Sequence, residues 1–281
     1  MMRFTALLFC LARLGWAQIP AFDAVSIRPC APGTRYGNLD FSHGHIILNC
    51  VPLKTMIAIA YGHYTGGRWN GIPLDHVQGG PSWTDPDPAN SNNYRVIARS
   101  NRNLSEELTR GPMLRAILAD RFKLRILRET RQVPAFALTV EPHGSKLRSF
   151  DGTCTLQDVP QDQAPKPPFS KPLCRNSLTR AGNHRIVNMP GTTIPTFVNL
   201  AGRFARAGTD LDGPIVDRTG LSGFFDIHVE FGATTPLPGD DVQTLPGIAQ
   251  AFSEQLGLRL QRTVGPDEFL VIEHVERPSA N

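Results

Sequence analysis

The chain contains an internal repeat. Residues 114–138 align with residues 248–272 without a gap, and the apolar positions of the two segments coincide. Residues 45–49 also resemble residues 184–188, and a helical pattern follows each of them. The repeat predicts two units of similar architecture, but it leaves the chemistry open because it matches apolar positions and turns. The coinciding pairs are Leu114 with Ile248, Leu118 with Phe252, Phe122 with Leu256, Leu124 with Leu258, Ile126 with Leu260, Phe136 with Leu270 and Leu138 with Ile272.

The spacing of apolar residues predicts an α+β fold made of two duplicated β-α-β-β-α-β-β units. Each unit is expected to be a small sheet with helices on one face. The last helix of each unit is expected at 113–121 and at 245–256, with Gly257 as the left-handed terminator of the second. Two strands should then close each unit. They are expected at 123–127 and 135–140, with a turn over 130–133, and at 258–262 and 268–275.

Composition divides the chain into four segments. Residues 1–17 have a basic start at Arg3, a mostly apolar stretch and small residues before position 18, which is typical of a secretory signal peptide. A buried first helix is the alternative interpretation. The first unit is expected at 18–150 and the second at 178–281, and the proline-rich residues 151–177 connect them.

The signal peptide predicts a secreted or periplasmic protein. No later segment has enough consecutive apolar residues to cross a bilayer, so the mature chain is expected to have no transmembrane segment. Residues 1–17 hold Arg3 and Arg13 and no acid, so their removal lowers the formal charge from +4 to +2. That charge is too weak to favour nucleic-acid binding.

Four cysteines remain once residues 1–17 are removed, and they favour an oxidising compartment. Four cysteines allow three connectivities, which sequence alone does not decide. Cys30 and Cys50 end neighbouring strand-like runs, while Cys154 and Cys174 flank the proline-rich segment, so we favour the bridges Cys30–Cys50 and Cys154–Cys174. A zinc site is the rival interpretation, but the sequence contains no Cys-x-x-Cys pair, and no metal or cofactor is expected.

The best candidate binding surface is the irregular segment 62–93, which is rich in Gly, Pro and Asn. Aromatic rings in such a loop supply a large contact area for a sugar or peptide. The alternative is that they anchor the loop to its own core. Arg121 is a further candidate, for an anionic ligand, although its stem could instead pack on the core beside an acid. The candidate ligand-binding residues are Tyr61, Tyr64, Trp69, Trp83 and Arg121.

Catalytic motifs are missing from the sequence. There is no Gly-x-Ser-x-Gly, no His-Glu-x-x-His and no phosphate-binding glycine loop, so no catalytic residue is assigned. We therefore expect a binding or interaction protein whose partner is an envelope or extracellular protein, a peptide or a glycan. The alternative is a secreted hydrolase with a site assembled between the two halves from His43, His45, Asp217 or His228.

Several ordered motifs resemble a known family. They are FDAVSIRP at 22–29, GGPSW at 79–83, LADRFKL at 118–124, VDRTGL at 216–221 and VIEHVERP at 271–278. Together they resemble the soil-associated secreted family, a domain of unknown function that is also found behind BlaR1-like sensor peptidase domains. The resemblance implies export and no particular activity. Arg95 departs from it, since members usually carry an acid after the aromatic residue. The element order is also similar to the short N-terminal docking modules of secretins and TonB-dependent receptors.

Overall fold

A computed structural model describes residues 21–65, 68–87, 89, 92–159, 163, 165–205, 211, 213–232 and 245–278. The predicted signal peptide at 1–17 lies outside these residues. The chain is α+β, as predicted, with more strand than helix. Among the described residues, no helix combines the length and the apolar composition that crossing a membrane requires.

Fourteen strands are present in the described residues. In chain order they are β1 Ala24–Pro29, β2 Leu39–Asp40, β3 His45–Val51, β4 His63–Thr65, β5 Arg68–Asn70, β6 Val77–Gly79, β7 Tyr94–Arg99, β8 Arg125–Val140, β9 Arg148–Ser149, β10 Ser177–Ala181, β11 His184–Thr192, β12 Ile215–Asp217, β13 Phe225–Gly232 and β14 Leu258–His274. They form a first outer sheet β1-β7-β3-β2, a second outer sheet β10-β11-β13-β9, a central sheet β12-β8-β14-β6 and the hairpin β4-β5.

The helices are short and pack against the sheets. They are α1 Leu53–Ala60, α2 Glu106–Leu108, α3 Leu114–Arg121, α4 Ile194–Ala205 and α5 Ile248–Ala251, with π-helical turns at Thr109–Met113 and Phe252–Leu256 and single 3-10 turns at Leu74–His76 and Ser82–Thr84. Gly257 ends the π-helical turn Phe252–Leu256 with φ of 63°, which confirms the predicted left-handed terminator. A side chain there would meet the carbonyl oxygen of Gly144.

The two longest strands pair along almost their whole length. β8 has 16 residues and β14 has 17, and they run antiparallel from the pair Val140 and Leu258 to the pair Ile126 and Ile272. β12 extends this sheet beside β8 and β6 extends it beside β14, both by parallel pairing. The last strands of the two halves therefore build one shared sheet.

The prediction that two separate strands close each unit is wrong. Residues 130–133 were expected to turn, but they continue β8 and face Glu268 to Gly265 of β14. Residues 258–262 and 268–274 likewise belong to one strand, which ends one residue before the predicted end. The reason is that a long partner supplies hydrogen bonds across the polar stretch of each strand, which neither half could supply alone. Each half also does not complete its own sheet, since its last strand joins the central one.

The two outer sheets follow the same order of connections. In each, a short strand and its successor form an antiparallel pair, and a helix follows (β2, β3 and α1; β10, β11 and α4). After the helix, the chain passes through a short strand of the central sheet, β6 or β12, before it returns to the outer sheet. The returning strand then pairs with the strand that precedes the helix: β7 pairs with β3, and β13 pairs with β11. Both of these ladders contain a register shift, between Leu48 and Val51 in β3 and between Met189 and Thr192 in β11.

Two hydrophobic cores lie between the outer sheets and the central sheet. The first contains residues of α1 and α3 and also Leu270 and Ile272, which come from the end of β14. The second contains residues of α4 and α5 and also Phe136 and Leu138, which come from β8. Because each long strand reaches into the core of the other half, the two cores depend on the same ladder.

Both predicted disulfide bridges are present. Cys30, just after β1, is joined to Cys50 in β3, and Cys154 is joined to Cys174 in the connecting segment. The segment also docks on the second unit. Asp158 accepts hydrogen bonds from the backbone N–H of Thr193 at 2.7 Å and from the hydroxyls of Thr193 and Thr196 at the start of α4. A carboxylate there satisfies unpaired helix donors, so this part of the segment is an ordered cap.

Replacing Leu118 by alanine should lower the free energy of unfolding by about 2–5 kcal/mol, because the side chain is 0% exposed in the first core. Leu127→Ala is the matched control. Leu127 is 45% exposed, so its loss should change stability by less than about 0.5 kcal/mol. Urea unfolding followed by circular dichroism measures both. Equal effects at the two positions would contradict the helical register of α3.

Candidate functional site

An open groove of about 760 Å³ crosses the second outer sheet. It extends from β11 over β13 to the segment between β8 and β9. The π-helical turn Phe252–Leu256, which follows α5, closes one side. The groove is mixed in character, with apolar residues beside cations, amides and a histidine. Its lining residues are Lys146, Leu147, Arg148, Asn188, Met189, Pro190, Asp226, Ile227, His228, Gln255 and Leu256.

The groove exists because strand β9 is short. β9 has two residues, which face only Phe225 and Asp226 of the eight-residue β13. Before β9 the chain turns away, and the backbone N–H of Lys146 donates to the carbonyl of Leu256 at 2.9 Å. The edge of β13 beyond Asp226 therefore has no neighbouring strand among the described residues.

A glutamine side chain takes the place of a strand further along this edge. The side-chain oxygen of Gln255 accepts from the backbone N–H of Glu230 at 2.9 Å, and its nitrogen donates to the carbonyl of Glu230 at 2.7 Å. A primary amide offers the same donor and acceptor as a peptide group. Gln255 thus pairs with Glu230 as a residue of a neighbouring strand would.

The peptide groups of His228 face the groove between these two points. Residues two apart in a strand point their N–H and C=O groups to the same side. Glu230 bonds on the edge side through Gln255, and Asp226 faces Arg148 on that side. His228 lies between them, so its N–H and C=O are directed at the open part of the groove.

The first outer sheet has no such gap at the corresponding edge. There the six-residue β1 pairs with β7 along its whole length, from the pair Ala24 and Arg99 to the pair Pro29 and Tyr94. β1 and β9 occupy the same place in the order of their sheets, next to β7 and β13. The part of the groove on the β9 side of β13 therefore corresponds to the position that a full strand fills in the first outer sheet.

Two cations stand at the β9 side of the groove. Lys146 and Arg148 are both exposed, and the ammonium of Lys146 donates to the carbonyl of Glu254 at 2.6 Å. The acid in the lining, Asp226, is already engaged. Its carboxylate accepts from the backbone N–H of Gly191 at 2.9 Å and from that of Asp151 at 3.4 Å. These bonds leave the charge of Asp226 in place, so the lining carries two cations and one carboxylate, and this excess of one positive charge favours an anionic ligand at this side.

Two histidines hold one carboxylate on the outer face of the same sheet. Glu230 lies 3.0 Å from Nε2 of His184 and 3.1 Å from Nε2 of His228. Nδ1 of His228 lies 2.6 Å from the side-chain oxygen of Asn188. Within the described part of the chain, no three His, Cys, Asp or Glu residues are arranged to hold a metal ion. The carboxylate instead orients the ring of His228 at the groove wall.

A second groove, of about 620 Å³, lies beside the central sheet. Here Nε2 of His76 is 3.4 Å from the carboxylate of Asp267, its Nδ1 is 3.0 Å from the carbonyl of Glu268, and its ring stacks on Phe269. His76 is buried. The lining residues are Asp75, His76, Gln78, Val133, Pro134, Leu211, Gly213, Pro214, Asp267 and Phe269, and none of these carries a hydroxyl or thiol nucleophile. The His76 contacts tie the turn before β6 to β14.

Three of the sequence-predicted aromatic residues lie near the end of α1. Tyr61 is half-buried between the guanidinium groups of Arg115 and Arg128, at 5.4 and 5.3 Å. Burial raises the pKa of Tyr61, and the two arginines oppose part of that rise. Tyr64 faces Trp69 across the hairpin β4-β5, and the indole N–H of Trp69 donates to the carbonyl of Ile59 at 2.9 Å. Trp69 therefore anchors the hairpin to α1.

Trp83 and Arg121 lie away from that group. Trp83 packs edge-on against Tyr94 and beneath the guanidinium of Arg277, at 4.8 Å, and contributes to the first core. Arg121 is half-buried at the last position of α3 and lines neither groove. The five predicted residues are therefore distributed over separate places.

The residues considered for a hydrolase are also distributed. His43 and His45 are exposed at the start of β3. The carboxylate of Asp217 accepts from the N–H and the hydroxyl of Thr219, at 2.9 and 2.8 Å, which is ordinary turn chemistry. Of the four, His228 lines the 760 Å³ groove.

The sequence interpretation did not identify Lys146, Arg148, Asn188 and Gln255 as site residues. Gln255 acts through a pairing with Glu230, 25 residues away, for which a single sequence gives no signal. The short length of β9 did have a signal in the sequence, since the segment before β10 contains no alternation of apolar residues comparable with residues 22–29. The shortness of β9 follows from that difference.

Replacing Gln255 by alanine should expose the peptide groups of Glu230 and raise the hydrogen-exchange rate of its amide about fivefold, which corresponds to a lost hydrogen bond of about 1 kcal/mol. Gln250→Ala is the matched control, since the Gln250 side chain donates to Glu254 on the same helix and not to β13. Amide exchange followed by NMR measures both. An unchanged Glu230 amide in the first variant would contradict the edge pairing.

Comparison with known proteins identifies a family but no activity. A family model described as a protein of unknown function (DUF3738) matches residues 54–275. No curated protein matches the chain, and no solved structure matches it. Since the matched residues make up most of the sequence, the chain belongs to the DUF3738 family of proteins of unknown function.

Proposed function

We propose that this chain is a secreted or periplasmic binding protein, without catalytic activity, that holds its partner in the groove along β13. The observation that carries the proposal is the incomplete edge of the second outer sheet. Two residues of β9 stand where β1 supplies six in the first outer sheet. An open strand edge is a template for pairing with another chain, and natural sheets usually cover it.

We further propose that the two halves arose by duplication. The register of the central sheet supports this. The repeat aligns Ile126 with Leu260 and Leu138 with Ile272, and the ladder pairs Ile126 with Ile272 and Leu138 with Leu260. Exchanging the halves thus converts one facing pair into the other, as a twofold relation requires. The shared order of connections in the outer sheets supports the same origin.

The proposed location rests on the leader-like residues 1–17 and on the two disulfide bridges. Disulfides persist in oxidising compartments. The resemblance to the soil-associated secreted family, with its BlaR1-like sensors, favours an envelope setting. The likeness in element order to secretin and TonB-receptor modules favours docking to another protein. The proposed partner is therefore an envelope or extracellular protein, peptide or glycan.

A secreted hydrolase with a site between the halves is the second candidate. The pair of His76 and Asp267 favours it, because it lies in a groove that also contains residues from the other half. In such a site His76 would act as a general base on water, since the lining has no hydroxyl or thiol nucleophile. The β13 groove is preferred because its open strand edge and its cations both face outward.

The binding proposal predicts that a photo-crosslinking residue at Arg148, in the groove, captures a partner. The mature chain carrying benzoylphenylalanine at this position would be irradiated with an envelope extract. Arg180 is the matched control, because it is an exposed arginine in β10, at the opposite edge of the same sheet. A discrete product at Arg148 and none at Arg180 is expected. Identical products at both positions, or none at either, would contradict the proposal.

A further inference from the structure

We infer that the groove takes a short, extended, acidic peptide segment, which adds to the second outer sheet as a strand beside β13. This inference rests on the proposed function and specifies its ligand. It concerns the residues that face the edge of β13 between Asp226 and Gly232. The first outer sheet supplies the geometric precedent within the same molecule, since β1 pairs antiparallel with β7 at the corresponding edge.

Four residues direct their peptide groups to this edge, and those of Asp226, Glu230 and Gly232 already have a neighbour. Asp226 faces Arg148 of β9, and the N–H of Gly232 donates to the carbonyl of Pro246 at 3.0 Å. Between them, the peptide groups of His228 face the groove. An extended segment of about three residues spans this interval, because alternate residues of an added strand bond to alternate residues of β13.

Gln255 makes the second bonding position available by exchange. It holds both peptide groups of Glu230 with one side-chain amide. An incoming peptide group offers the same donor and acceptor in the same direction, so it replaces the amide bond for bond. Gln255 then protects the edge while the groove is empty, which limits unwanted strand pairing.

The charges select the side chains of the segment. Lys146 and Arg148 are exposed at the β9 side, and the carboxylate of Asp226 is engaged by backbone N–H groups of Gly191 and Asp151. These neutral donors leave the carboxylate charged, so the lining holds two cations and one carboxylate, and its formal charge is +1 with His228 neutral. Backbone pairing supplies affinity in strand addition, and side-chain contacts supply selectivity. Acidic residues in the added strand match these cations, so binding should weaken with salt.

The test uses four synthetic eight-residue peptides and the full mature chain. The first alternates valine and glutamate, the second alternates valine and lysine, and the third and fourth are the same two with every internal amide N-methylated. Binding is followed by amide shifts of His228 and Glu230 in NMR titrations. The glutamate peptide is expected to bind at least tenfold more tightly than each of the others. N-methylation removes the backbone donors, and lysine side chains do not match the cations Lys146 and Arg148.

Two variants refine the result. Gln255→Ala should bind the glutamate peptide more tightly, since the peptide no longer competes with the side-chain amide. The control Gln250→Ala should bind it as the unaltered chain does. Lys146→Glu combined with Arg148→Glu should abolish the preference for glutamate over lysine. The NMR spectrum of each free variant reports whether it is folded.

The outcomes separate this inference from the binding proposal. Equal binding of the glutamate peptide and its N-methylated form would overturn strand addition and leave the groove as a binding site. Absence of peptide binding together with a crosslinked partner at Arg148 would overturn the peptide assignment alone. Absence of both would overturn the inference and the binding proposal together.

Discussion

The antiparallel pairing of β8 with β14 is the interaction on which the rest of the structure depends. Each strand reaches from one core to the other, so Phe136 packs in the second core and Leu270 in the first. Neither outer sheet closes its own core without these residues. The ladder is continuous from Ile126 to Val140, which fixes how the two halves face each other. Two paired strands alone are marginal in water, and the two cores stabilise this pair from both ends.

Local patterns in the sequence predicted much of this fold. The helical spacing around Leu118 and Phe252 places both side chains in the core, and Gly257 ends its helix with the expected left-handed conformation. Cys30–Cys50 follows from neighbouring strand ends, and Cys154–Cys174 from two cysteines that flank the proline-rich segment. The merging of the closing strands was not predicted, because residues 130–133 are polar and their partner lies more than 130 residues away. Long-range pairing of that kind has no local signature.

The same distinction explains what was and was not predicted about the site. Trp69 and Trp83 were candidate binding residues because large rings in a loop are typical of binding surfaces. In the structure, Trp69 anchors the loop to α1, and Trp83 packs against the first core. The groove instead results from the short length of β9 and from the hydrogen bonds of Gln255 to Glu230, which lies 25 residues away in the sequence. The two outer sheets share an order of connections but differ at this edge, and the binding proposal is built on that difference.

The cooperative role of the central ladder is tested most directly by hydrogen exchange during denaturant unfolding. Val96 reports on the first outer sheet and Val229 on the second, and both are buried. If the ladder joins the two cores, the amides of both residues should lose protection at the same denaturant concentration, in one transition. Separate midpoints, with one outer sheet unfolding while the other keeps its protection, would contradict the account.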